Sequence, residues 1–174
     1  MRSFGFTLIE LVITLSIVSI LLGFGLPNLF GHIQNSRVKV ATQNLFESLE
    51  LTRSQAVFSN KRITIRKQVQ WEEGWEVFID ANNDGLPNNN EQTVKKYEKL
   101  KGIRIIANRP VSNYVSFVGS GEGRYANGTS NAGAFQAGAF TVCPQTKGKG
   151  YELILARGGR VRTHEISAQD CAAI

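Results

Sequence analysis

Two histidines and two cysteines are all that this 174-residue chain offers to soft-metal or imidazole chemistry. His32 and His164 lack metal-ligand spacing, and neither a nucleophile motif nor a phosphate-binding loop is present. These absences argue against an enzyme. Charge is missing where it would be most expected: between Phe6 and Gly31, Glu10 is the only charged residue in 26. Elsewhere the composition is ordinary, with 20% charged and 42% hydrophobic residues, which excludes a broadly disordered chain. The length suits one domain with a real core, not two large ones. The net charge of +6 favours polyanions or an acidic membrane surface as partners.

The uncharged run FTLIELVITLSIVSILLGFGLPNLFG is too long for a secretory signal, and no A-x-A-like site follows it. As a helix it would extend roughly 39 Å at ~1.5 Å per residue, against a hydrocarbon core of about 30 Å. The pattern predicts a membrane anchor over residues 6–31 that bends or partly unwinds near Gly23, Gly25 and Pro27. A lone carboxylate in such a segment costs roughly 2.5–3.5 kcal/mol at its centre, so Glu10 needs a partner or a purpose.

The string GFTLIELVITLSIVSIL resembles the class III signal sequence of type IV pilins and type II secretion pseudopilins. That resemblance implies a leader over residues 1–5, cleavage after Gly5 by prepilin peptidase, and N-methylation of Phe6. It also places Glu10 at the fifth mature position, where the superfamily keeps a glutamate. The new ammonium on Phe6 is a cation at membrane depth, and Glu10 is the group able to neutralise it on a neighbouring subunit. Desolvation then favours assembly and fixes register.

From residue 32 to 60 the helix continues but becomes amphipathic. Val38, Ala41, Leu45, Leu49 and Ala56 recur at helical spacing, and Asn60-Lys61 marks an end. Residues 61–174 read as a β-rich globular domain, because RITIRKQVQW, GWEVFID, IRII, YVSFVG, AFTVC, YELILA and RVRTHEI alternate between turn signals. The fold expected is α+β: one long N-terminal helix laid on antiparallel sheet. Residues 119–138, rich in Gly, Asn and Ser, read as a mobile loop or an irregular hairpin. LTRSQAVFSNKRITI and GWEVFIDANNDG resemble the GspH/FimT branch of the superfamily, with Thr52 in place of a usual small residue.

Asp80, Asn82, Asp84 and Glu91, with Gly85 between, satisfy the D-x-[DN]-x-[DN]-G-x5-E calcium-loop pattern. Pro87 and the strand-like WEVFID ahead of the loop speak against a helix-loop-helix site. The favoured reading is a hairpin turn whose side chains bond their own backbone, with no cofactor and a weak Ca²⁺ site as the alternative. Cys143 and Cys171 belong to a domain expected in the periplasm or outside the cell, where two cysteines read as one disulfide.

In YELILARGGRVRTHEI, Gly158-Gly159 reads as a two-residue hairpin turn. That register sets Arg157 opposite Arg160 and Leu155 opposite Arg162, all on one face, with Lys147 and Lys149 in a preceding loop and Tyr151 as a stacking partner. The five cations form a candidate phosphate-binding patch; a solvated edge that discourages aggregation is the competing account. Gly159-Arg160-Val161-Arg162 resembles the Gly-Arg-x-Arg element of FimT-type minor pilins associated with DNA uptake. The resemblance implies a minor pilin that joins or primes a pilus, binds DNA non-specifically for natural transformation, and works from the inner membrane to the pilus tip. The other reading is a structural FimU-like priming pilin or a type II secretion pseudopilin. In either case the partners are other pilins and prepilin peptidase.

Overall fold

The computed structural model describes residues 7–129 and 133–173, with the side chains of residues 23–30 left out. Helix α1 spans Leu8–Ser59. Thr7 caps its start by accepting the Glu10 N–H at 3.3 Å, and Asn60 ends it in the left-handed conformation (φ 51°). The helix is assigned without a break through residues 23–27, where a bend or unwound turn is expected; the side chains there lie outside the described residues. Among the described residues no helix is long and apolar enough to cross a membrane. The anchor expected over 6–31 includes Phe6 and the side chains of 23–30, which are outside that description.

Eight strands follow: β1 Ile63–Lys67, β2 Trp75–Ile79, β3 Thr93–Tyr97, β4 Ile103–Ala107, β5 Tyr114–Phe117, β6 Gly138–Pro144, β7 Gly150–Leu155 and β8 Val161–Ile166. They form two antiparallel sheets, ordered β3-β2-β1-β5 and β4-β6-β7-β8. A short helix α2, Ala168–Ala172, closes the chain behind a capping box of Ser167 and Asp170.

The amphipathic half of α1 covers both sheets. Val38, Ala41, Leu45, Leu49 and Ala56 are all buried, and Thr52 continues the stripe because its hydroxyl donates to Ser48 O at 2.6 Å. Trp75 reaches the same helix, its Nε1 donating to Ser48 Oγ at 2.9 Å. Trp71 packs edge-on against Phe140 with ring centroids 5.0 Å apart, joining the two sheets through one core. α2 is stapled to β6 by the Cys143–Cys171 disulfide and by Arg104, whose Nη2 donates to Cys171 O at 2.8 Å.

In the β2–β3 connection the residues of the calcium-loop pattern bond one another and their own backbone. Asp80 is buried; its Oδ1 accepts Asp84 N–H, and its Oδ2 accepts Gly85 N–H and the Thr64 hydroxyl, all within 3.0 Å. Glu91 accepts from Ala81 N–H at 2.9 Å and Asn88 N–H at 3.1 Å, and Asp84 from Leu86 N–H at 2.7 Å. Gly85 turns with φ +72°. The carboxylates thus close the backbone of their own turn. Among the described residues no group of three His, Cys, Asp or Glu could hold a metal.

Burial pushes the Asp80 carboxyl above its ordinary range, against the hydrogen bonds from Thr64 and Gly85. In the folded state it therefore binds its proton more tightly than in the unfolded chain. Stability from this group is complete below the ordinary carboxylate pKa and is lost as pH rises through the elevated one. Urea midpoints measured from pH 3 to pH 7 should show that decline in the native protein relative to Asp80→Asn, which lacks the titration. A parallel pair of curves would contradict it.

Candidate functional site

The β7–β8 hairpin differs from its expected register by one residue. Leu155 pairs with Val161 and Ile154 with Arg162, so Arg162 does not face Leu155. The cause is the core: Leu155 and Val161 are both buried, and the shorter turn would carry Arg162 to the face Leu155 occupies. The extra residue is taken up in the turn. Ala156 N–H donates to Arg160 O, and Gly159 N–H returns to Ala156 O, both at 2.9 Å. Gly159 has φ +78°, and a β-carbon there would collide with Gly121 O.

Arg160 and Arg162, two apart along the chain, still share the outer face of the sheet beside Ile154. Arg157 stands at the turn, opposite no arginine. All three guanidiniums are exposed, and none has an ion-pair partner among the described residues. Lys147 and Lys149 are not part of this cluster. Lys149 precedes Gly150, which pairs with Ile166 at the far end of β8, roughly 17 Å away at ~3.4 Å per strand residue. Its ammonium is bound to Glu165 at 2.6 Å, and that hydrogen bond raises its pKa. Tyr151 stays at this far end on the core-facing side, sharing a cavity with Asn35, Lys149 and Glu165, so it offers no stacking surface to the arginines.

One cation near the turn is invisible to local sequence reasoning. Arg53 of α1 donates from Nε to Gly121 O at 3.0 Å, and Gly121 is the residue against which Gly159 packs. Its place one turn after Leu49 marks a stripe-edge position. That residues 119–121 and the β7–β8 turn converge there is a tertiary fact. The 119–138 segment is an irregular hairpin, with bridges Phe117–Gly123 and Arg124–Phe135, and residues 130–132 lie outside the described ones. Buried Gln136 anchors it, accepting from Ser116 N–H and donating to Tyr114 O and Pro110 O. Of the histidines, His164 faces Glu152 across the strands at 3.2 Å, and His32 lies exposed on α1.

A long helix over two four-stranded antiparallel sheets, with a C-terminal hairpin and staple, can be compared with known proteins. The family description "Type II transport protein GspH" matches residues 41–159. The chain belongs to the GspH family. A second description, "Prokaryotic N-terminal methylation motif", matches residues 1–26. The fold is similar to that of the type IV minor pilin FimU of Pseudomonas aeruginosa: 17% identity, 75% of this chain and 90% of that one, TM-score 0.56. It is also similar to the minor pseudopilin EpsH from the Type 2 Secretion System of Vibrio cholerae: 14% identity, 74% of this chain and 96% of that one, TM-score 0.52. No curated protein matches the sequence. The chain is thus pilin-like, in the GspH/FimT branch, with the α+β fold of minor pilins and pseudopilins.

Proposed function

We propose that this chain is a minor type IV pilin, matured by cleavage after Gly5 and methylation of Phe6, that carries a DNA-binding hairpin. Before assembly it is held in the inner membrane by the apolar part of α1, and afterwards it stands in the pilus near its tip. The observation that carries the DNA assignment is the set of Arg157, Arg160 and Arg162, exposed together and without acidic partners among the described residues. Their turn packs beside Arg53, 22 residues past Gly31 on α1, about 33 Å along the helix at ~1.5 Å per residue. A site so far from the bilayer end is open to a long polyanion, and guanidinium forks suit phosphate oxygens. Contacts of this kind read backbone, not sequence.

The test is a gel shift across a salt series. Three phosphate contacts give a log–log slope of roughly −2 to −3. Arg160→Gln with Arg162→Gln should lower affinity and flatten the slope by about 1.5–2, without moving the thermal midpoint. Unchanged DNA binding by a folded double variant would overturn the DNA assignment. It would leave the second reading, a structural priming pilin or secretion pseudopilin, which the family match over residues 41–159 favours on its own.

A further inference from the structure

At the opposite end of the domain, three elements meet around the helix where its apolar half gives way to the globular part. Gly102 O accepts both Gln34 Nε2 of α1, at 2.7 Å, and Gln145 N–H of the β6–β7 loop, at 3.1 Å. This one carbonyl joins α1, the β3–β4 loop and the β6–β7 loop. Each contributes an exposed cation without an ion-pair partner among the described residues: Arg37, Lys101 and Lys147. Of the acids on neighbouring elements, Glu73 is paired with Lys99, Glu165 with Lys149 and Asp170 with Ser167. Glu72, whose carbonyl accepts the Leu100 N–H, and Glu98 have no ion-pair partner among the described residues. Counting both against Arg37, Lys101 and Lys147, the ring remains cationic.

Arg37 and Lys101 also flank a cavity of about 270 Å³ whose other walls include Val40, Leu100 and Ile103. It is an apolar pocket with two cations at its rim. We infer that this basal ring is a docking site for anionic phospholipid headgroups, with the pocket receiving the glycerol and upper acyl region of one lipid. The inference rests on the anchor reading of the apolar run. The geometry agrees with a membrane: Arg37 lies six residues past Gly31, about 9 Å along the helix, and a Lys or Arg stem spans the remaining distance to the headgroup layer.

The charge distribution points the same way. Arg37 and Lys39 follow the apolar run within eight residues of Gly31. Anionic headgroups attract juxtamembrane basic side chains of this kind. The ring would seat the waiting subunit upright against the lipid and release it when the helix leaves the bilayer.

The experiment uses the full chain in nanodiscs of equal phosphatidylglycerol and phosphatidylcholine, with retained lipids counted by native mass spectrometry. Phosphatidylglycerol should be enriched at least about fivefold, the effect of a single basic side chain at an anionic surface. The variant Arg37→Gln/Lys101→Gln/Lys147→Gln should lose the enrichment yet still float with phosphatidylcholine vesicles. Equal enrichment in the variant overturns the ring as a lipid site. Loss of enrichment in 10 mM inorganic phosphate overturns the headgroup assignment in favour of a generic anion site. Failure of the native chain to float with any vesicle would instead sink the anchor reading.

Discussion

Reduction of the Cys143–Cys171 disulfide, or replacement of both cysteines by Ser, lowers the thermal midpoint by about 10 °C. The bridge closes a loop with a sequence separation of 28. In the chain-entropy model a loop of that size constrains the unfolded state by about 3.6 kcal/mol. For a chain of this size each kcal/mol moves the midpoint by roughly 2–4 °C. The native geometry is prepared for the bond: both cysteines are buried, and Gly150 lies directly against both sulfurs, leaving no room for a side chain. Without the bridge, the hydrogen bonds that hold α2 among the described residues are its capping box and the Arg104 contact, too little to fix a five-residue helix in place. Calorimetry with and without reductant measures the effect. A shift under about 2 °C would show that α2 docks by packing alone.

Replacing Glu10 with Ala has a larger consequence, and it appears in assembly rather than folding. Among the described residues, Glu10 has a single side-chain partner: the Thr7 hydroxyl, which donates to its Oε2 at 3.4 Å. That contact does not neutralise a carboxylate in an apolar segment. The proposed partner, the amine of Phe6 on a neighbouring subunit, would be left as an uncompensated buried charge, at a cost of about 3–5 kcal/mol. Incorporation into sheared filaments should therefore fall by two orders of magnitude or more, on the scale of ~1.4 kcal/mol per decade. The variant should still accumulate in the membrane fraction with an intact disulfide. Filament incorporation at native levels would mean that Glu10 does not set register.

Much of this architecture is legible in the sequence because it rests on periodicity. The stripe Val38, Ala41, Leu45, Leu49, Ala56 specifies both the helix and its buried face, and Asn60 ends it. Seven strands announce themselves by alternation. The eighth, Thr93–Tyr97, does not: it is an edge strand with Lys95 and Lys96 exposed, so burial leaves no pattern to read. Division into two sheets is equally hidden, since nothing local says that β1 pairs with β5 while β4 pairs with β6.

The hairpin shows the limit most sharply. Gly158-Gly159 marks the turn, but its length is decided by two buried side chains, Leu155 and Val161, that must point inward together. That single residue of slip separates Arg162 from Leu155 and leaves Arg157 at the turn. Proximity in sequence groups the lysines with the arginines, yet an extended strand puts six residues of chain between them. Arg53 joins the turn only through folding.

The central claim is that the apolar helix carries a freshly exposed amine which Glu10 neutralises between subunits. Mass spectrometry of the protein recovered from functioning cells tests it most directly. The account predicts a chain beginning at N-methylated Phe6. A mature protein that still retains Met1 through Gly5 would contradict it.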